Sequence, residues 1–146
     1  MISDTDQVAM RGDFLLRIYR NGVLIEEQHD PNMIMTVARS AMAALIGGAG
    51  AGKTITKIGF GTLGTGPTPT DTALTNSYSK LVAGVTYPVA GQAAFAWSLG
   101  TSEANGKAIA ELGLICSDTT LFARKTRGVI NKDADLSLDG VWTIIF

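Results

Sequence analysis

Apolar and polar residues alternate with a period of two through much of this chain, and short polar turns interrupt the alternation. Phe14-Leu15-Leu16-Arg17-Ile18-Tyr19-Arg20 and Val23-Leu24-Ile25-Glu26-Glu27 flank Asn21-Gly22. That dipeptide tolerates the positive φ that a two-residue hairpin turn requires at both positions, so the pattern predicts a hairpin over Asp13–Asp30. Counting outward from the turn sets Arg20 opposite Val23, Ile18 opposite Ile25 and Arg17 opposite Glu26, the last a favourable cross-strand charge pair. Further strands are predicted at Thr56–Gly61, Ala94–Leu99, Lys107–Cys116, Thr120–Thr126 and Gly140–Phe146, with a mixed segment over Ala73–Leu81. In Ala94–Leu99 the alternation puts Phe95, Trp97 and Leu99 on one face. Turn signals recur about every ten residues, the rhythm of a sandwich or barrel. The expectation is a mainly β chain: an antiparallel β-sandwich of about seven to eight strands over residues 13–146, preceded by a polar arm over 1–12. Arg11-Gly12-Asp13 reads as a turn entering the first strand.

One segment breaks the period of two. Ile34, Val37, Ala38, Ala41 and Leu45 fall at helical spacing, which predicts one short helix in the N-terminal half. Asp30-Pro31-Asn32 can cap its start and Gly47-Gly48 can stop it. The helix leads into Gly47-Gly48-Ala49-Gly50-Ala51-Gly52-Lys53-Thr54, which matches the phosphate-loop pattern letter for letter. A working phosphate loop joins the end of a buried strand to the start of a helix. Here the predicted order is helix, loop, strand, and no apolar strand downstream ends in an aspartate placed for Mg²⁺. The segment reads as a Gly/Ala turn, with nucleotide binding as a remote alternative.

Composition narrows the chemistry. Of 146 residues, 17% are charged, below the usual quarter, which suggests a surface partly covered by neighbours. The net charge of −1 provides no field to draw nucleic acid or anionic lipid, although Arg124, Lys125 and Arg127 cluster locally on a strand. Cys116 and His29 are the sole residues of their kinds, too few for a four-ligand zinc site or a marked catalytic triad. Cys116, within Leu114-Ile115-Cys116, reads as a buried inert thiol. Glu26 and Glu27 point to opposite faces of a strand. Asp133 and Asp135 lie in a turn beside Lys132 without the further oxygens of a calcium loop. No catalytic, cofactor or metal residues are therefore expected, and no enzymatic activity. Met1–Asp6 is too polar for a signal peptide, and no apolar run approaches a membrane span, so a soluble chain made in the cytoplasm is expected.

An ordered set of motifs carries a resemblance. Ile58-Gly59-Phe60-Gly61-Thr62 is followed by Gly66-Pro67 and Asp71-Thr72-Ala73-Leu74, then Gly100–Gly106, Glu111-Leu112-Gly113-Leu114, Thr120-Leu121-Phe122-Ala123-Arg124, Ile130-Asn131-Lys132 and Trp142–Phe146. Together, over about residues 30–146, they resemble small tail-associated structural proteins of bacteriophages and prophages, found beside tail-fibre proteins. The resemblance implies a non-enzymatic virion protein of the tail, a baseplate or tail-fibre adaptor without catalytic residues. Its implied partners are other tail proteins (fibre, baseplate or tube) and copies of itself, with no nucleic acid or membrane. Its implied location is the virion, after synthesis in the host bacterial cytoplasm. The Thr62–Asp71 loop is the candidate contact element, through Gly64, Thr65, Gly66, Pro67, Pro69 and Asp71, because its prolines stiffen it and lower the cost of ordering on docking. Met1–Ala9 is a second candidate. The alternatives are a receptor- or carbohydrate-binding module of the tail, for which an exposed Trp97, Trp142 or Tyr87 would provide a stacking face although the alternations place both tryptophans in the core, and a capsid decoration protein.

Overall fold

A computed structural model of the protein describes residues 10–146. The Met1–Ala9 candidate contact lies outside the described residues. Among the described residues nine strands and one helix follow in the order β1 (Arg11–Arg20), β2 (Val23–Ile34), α1 (Thr36–Ile46), β3 (Ile55–Gly61), β4 (Tyr78–Leu81), β5 (Gly84–Thr86), β6 (Gln92–Leu99), β7 (Ala108–Cys116), β8 (Leu121–Asn131) and β9 (Leu136–Ile145). The chain is mainly β with one short helix, and every strand pairing is antiparallel. The strands form one continuous sheet in the order β4-β3-β7-β8-β2-β1-β9-β6-β5.

That sheet curls until its two outermost strands meet in the chain. β4 and β5 are joined by Val82 and Ala83 alone, and these residues donate to Thr56 O in one half (3.0 Å) and Ala96 O in the other (2.8 Å). The segment thus bridges the two halves by pairing inward with β3 on one side and β6 on the other. At the opposite seam β2 meets β8 only through Met33 and Ile34. Beyond that point side chains bridge the gap: Arg127 to Glu26 (2.7 Å) and Gln28 (2.9 Å), and Lys125 to the Pro31 carbonyl (3.2 Å). Two of the three basic residues of the local cluster, Lys125 and Arg127, are therefore spent on β2.

The curled halves share one core. Phe14, Trp97 and Trp142 of one half are buried, and Phe60 of the other lies edge-on to Trp97 with ring centroids 5.7 Å apart. Phe95, Trp97 and Leu99 face this core, as their alternation predicts. Trp97 fits because Gly140 opposite has no side chain; a Cβ there would strike the indole.

Three local expectations are corrected. Asn21 (φ 50°) and Gly22 (φ 78°) make the predicted turn, but a bulge between Ile18 and Tyr19 adds one residue to β2. Ile18 consequently faces Glu26, and Arg17 pairs with Glu27 (3.1 Å) instead of Glu26. Asp30-Pro31-Asn32 does not cap the helix: these residues extend β2, and Met35 occupies the N-cap without a side-chain hydrogen bond. Arg11-Gly12-Asp13 belongs to β1 instead of a turn, paired with both β2 and β9.

Candidate functional site

Between β3 and β4 the chain makes a long excursion whose middle, the predicted contact loop, lies over the outer face of β3, β7 and β8. Sequence explains how it is seated. Gly59 and Gly113 are register partners on adjacent strands, and a Cβ at either would come within 3.2 Å of Leu74 Cδ1. The paired glycines leave a notch into which Leu74 packs. Two residue pairs further along β3, Gly61 leaves room for the Glu111 side chain to lie across it.

Glu111 is fully buried, and its carboxylate divides between the loop and Arg124 of β8. Its Oε2 accepts from the backbone N–H groups of Leu63 and Thr75, both at 2.9 Å, which are the two necks of the excursion. Its Oε1 accepts from Arg124 Nε at 2.8 Å. Arg124, 2% exposed, uses its other nitrogens on the loop, donating to Leu63 O (3.0 Å) and Asp71 Oδ2 (2.9 Å). A buried carboxylate and guanidinium that each make three hydrogen bonds, one of them to each other, can offset much of their desolvation. Hydrogen bonds from the Thr68 backbone and hydroxyl, then the nearby Arg124 cation, hold the Asp71 carboxyl below its ordinary range.

The six predicted contact residues separate accordingly. Gly64, Thr65, Gly66 and Pro69 are exposed on the excursion's outer surface, and Pro67 is half-buried. The Pro69 carbonyl accepts from Thr36 N–H at 2.8 Å, so the loop, not a side chain, satisfies the first amide of α1. Asp71 turns inward to Arg124 and acts as an anchor. Glu111 and Arg124, which position the whole excursion, are not apparent as site residues in the sequence. Their signal was available in the β7–β8 register, where Gly113 faces Arg124 and places Glu111 one diagonal away.

The phosphate-loop match has the opposite polarity to a nucleotide site. Gly47–Thr54 leaves the carboxyl end of α1 and enters β3. Gly48 (φ 83°) closes the helix in a Schellman arrangement, with Ala49 N–H donating to Ala44 O (2.8 Å) and Gly48 N–H to Leu45 O (3.3 Å). The helix dipole there presents its negative end, unfavourable for phosphate. Lys53 donates to Asp118 Oδ2 (2.5 Å) and Thr120 Oγ1 (3.2 Å); the Lys53 bond first, then hydrogen bonds from Thr120, bring the Asp118 carboxyl down to about 2.

Other titratable groups have structural partners. Asp133 Oδ1 accepts from Asp135 N–H (2.9 Å) and Leu136 N–H (3.2 Å), shaping its own turn, and the buried Lys132 donates to Asn105 Oδ1 (2.8 Å). His29 lies within β2, not at its end, against Asp13 (2.8 Å), whose hydrogen bond and charge raise the imidazole's pKa. Among the described residues no group of three His, Cys, Asp or Glu side chains is placed to hold a metal ion, and no helix is long and apolar enough to cross a membrane. Comparison with family models, curated proteins and solved structures gives no match to this chain.

Proposed function

We propose that this chain is a non-enzymatic structural protein of a phage tail, an adaptor at the baseplate or the fibre attachment point that works as a homo-oligomer through protein–protein contacts. One observation carries the reading. A fully buried Glu111–Arg124 pair is devoted to presenting an exposed Gly/Pro/Thr loop in a fixed shape. A pre-ordered loop loses little conformational entropy on docking, which is what a permanent assembly contact needs. The low charge content and the ordered tail-protein motifs point the same way.

The test is fractionation of a lysate in which the particle assembles, with the chain followed by antibody through a density gradient. Co-sedimentation with tails, lost on shortening the Gly64–Pro69 loop, is the expected result. A chain that stays at the top of the gradient while tails form would refute the proposal. A second reading, carbohydrate or receptor binding, draws support from Tyr87, which is 75% exposed, whereas Trp97 and Trp142 are buried. A glycan array probed with the native chain and Tyr87→Ala decides it: retention that the substitution abolishes supports sugar binding.

A further inference from the structure

We propose that Asn21, at the tip of the β1–β2 hairpin, is a site of spontaneous backbone-assisted deamidation, while Asn105, in the same dipeptide, is protected by the fold. The modified residue is an aspartate or isoaspartate at the hairpin tip.

The sequence has five asparagines, and only Asn21 and Asn105 precede glycine. Deamidation begins when the main-chain nitrogen of the next residue attacks the asparagine side-chain carbonyl carbon. Met33, Ser77 and Lys132 follow the other three and crowd that nitrogen with a Cβ, whereas glycine leaves it open. Sequence alone ranks the two Asn-Gly pairs as equals. The structure separates them.

At the tip, Asn21 (φ 50°) and Gly22 (φ 78°) form the two-residue turn, and both are exposed. Among the described residues the Gly22 N–H has no main-chain hydrogen-bond partner, and a Cβ at Gly22 would meet nothing within 4 Å. The reacting nitrogen is therefore free, and solvent surrounds the side-chain amide. A bond from Asn21 N–H to Asp135 O (2.8 Å) steadies the tip, but it lies on the other side of Asn21 from the reacting peptide. A short exposed turn of this kind opens locally at little cost, which lets the chain reach the geometry that ring closure needs.

Asn105-Gly106 is engaged at every reacting group. The Asn105 amide nitrogen donates to Thr101 O (2.9 Å), and its oxygen accepts from Lys132 Nζ (2.8 Å). The Gly106 N–H, which would supply the nucleophile, donates to Lys132 O (2.9 Å). Lys132 is 2% exposed, so the fold fixes both of its contacts. Its ammonium polarises the Asn105 carbonyl, yet the nitrogen that would attack is committed elsewhere. Reaction there requires breaking a main-chain bond and turning the amide out of two more.

The step balances with water as its only reagent. The Gly22 nitrogen gives up its proton and bonds to Asn21 Cγ, the Cγ–Nδ2 bond breaks, and ammonia leaves with that proton. Water then opens the five-membered imide at one carbonyl to give aspartate, or at the other to give isoaspartate. Either product replaces a neutral amide with a carboxylate, so one unit is added to the net charge of −1, making it −2. The new charge arises next to Arg20, which Asp133 already engages at 3.5 Å. Isoaspartate also lengthens the main chain by a carbon, which a two-residue turn cannot absorb in register.

Peptide mapping by mass spectrometry, on the full chain held for days in mildly alkaline buffer with and without urea, provides the test. Native Asn21 should convert at least about tenfold faster than Asn105, because the bonds that must break at Asn105 together contribute at least that factor. In urea the two should convert at similar rates, since the fold and not the sequence makes the difference. Isoelectric focusing should show a slowly forming acidic species that Asn21→Asp abolishes. Asn105 converting as fast as Asn21 in the native chain overturns the proposal. So does an Asn21 that stays intact while the urea-treated chain converts, or an acidic species that still forms in Asn21→Asp.

Discussion

Glu111 carries more of the loop's order than any residue within the loop. Truncating it to Ala removes one of the two carboxylates on the buried Arg124 cation, leaving Asp71 alone, and orphans the amides of Leu63 and Thr75. The expected loss is about 3–5 kcal/mol, the usual cost of removing one partner of a buried pair, measured by urea unfolding. Limited proteolysis should then find new cleavage sites between Thr62 and Ser77. Neither effect would appear if the pair were incidental. Cys116 behaves oppositely: 1% exposed, its thiol is pushed up to about 11 by burial first and the Asp118 charge second. Thiol reagents should leave it unmodified until denaturant is added, because the thiolate is the reactive form. The inert cysteine was legible from its apolar neighbours. Arg124 was not, because a guanidinium flanked by Lys125 and Arg127 reads as surface until a carboxylate thirteen residues earlier is folded beside it.

Among the elements, α1 shows how a helix can be delimited without side-chain caps. Its start is satisfied by the Pro69 carbonyl of a distant loop, and its end by Gly48 in the left-handed region. Gly48→Val should lower stability by about 1–2 kcal/mol, the cost of placing a side chain in that conformation, read as a reduced melting temperature. An unchanged melting temperature would mean that the cap contributes nothing to the fold. The glycine stop was legible because it is local chemistry. The start was not: Asp30-Pro31-Asn32 has capping composition, yet the strand continues through it because Asp13 and Gly12 of β1 are available as partners. The hairpin divides the same way. Its turn follows from Asn21-Gly22, whereas its register past Ile18 depends on a bulge that no count of residues reveals.

For the whole molecule, loop anchors set the acid response. Glu103 is drawn down to about 2, chiefly by Lys80 and then the Gly100 amide, and Asp118 likewise by Lys53 and Thr120. Both carboxylates have folded pKa values below their ordinary 4.5 and 3.8, so their stabilisation is complete above those values and is lost as pH falls toward about 2. Thermal melts should therefore decline steeply between pH 4.5 and 2, and a Glu103→Gln variant should decline less. A wild-type melt that is level to pH 2 would contradict the assignment. The mainly β class, the single helix, the turn at Asn21-Gly22 and the core placement of both tryptophans were determined by the sequence alone, because alternation, helical spacing and positive-φ tolerance act over a few residues. Tertiary structure decided the rest: the joining of two faces into one curled sheet, the bridging of its two halves by Val82 and Ala83, the Gly59–Gly113 notch beneath Leu74, and the Glu111–Arg124 anchor of the contact loop. Each depends on groups far apart in sequence that meet only after the strands pair, and local patterns contain no information about which distant groups will share a face.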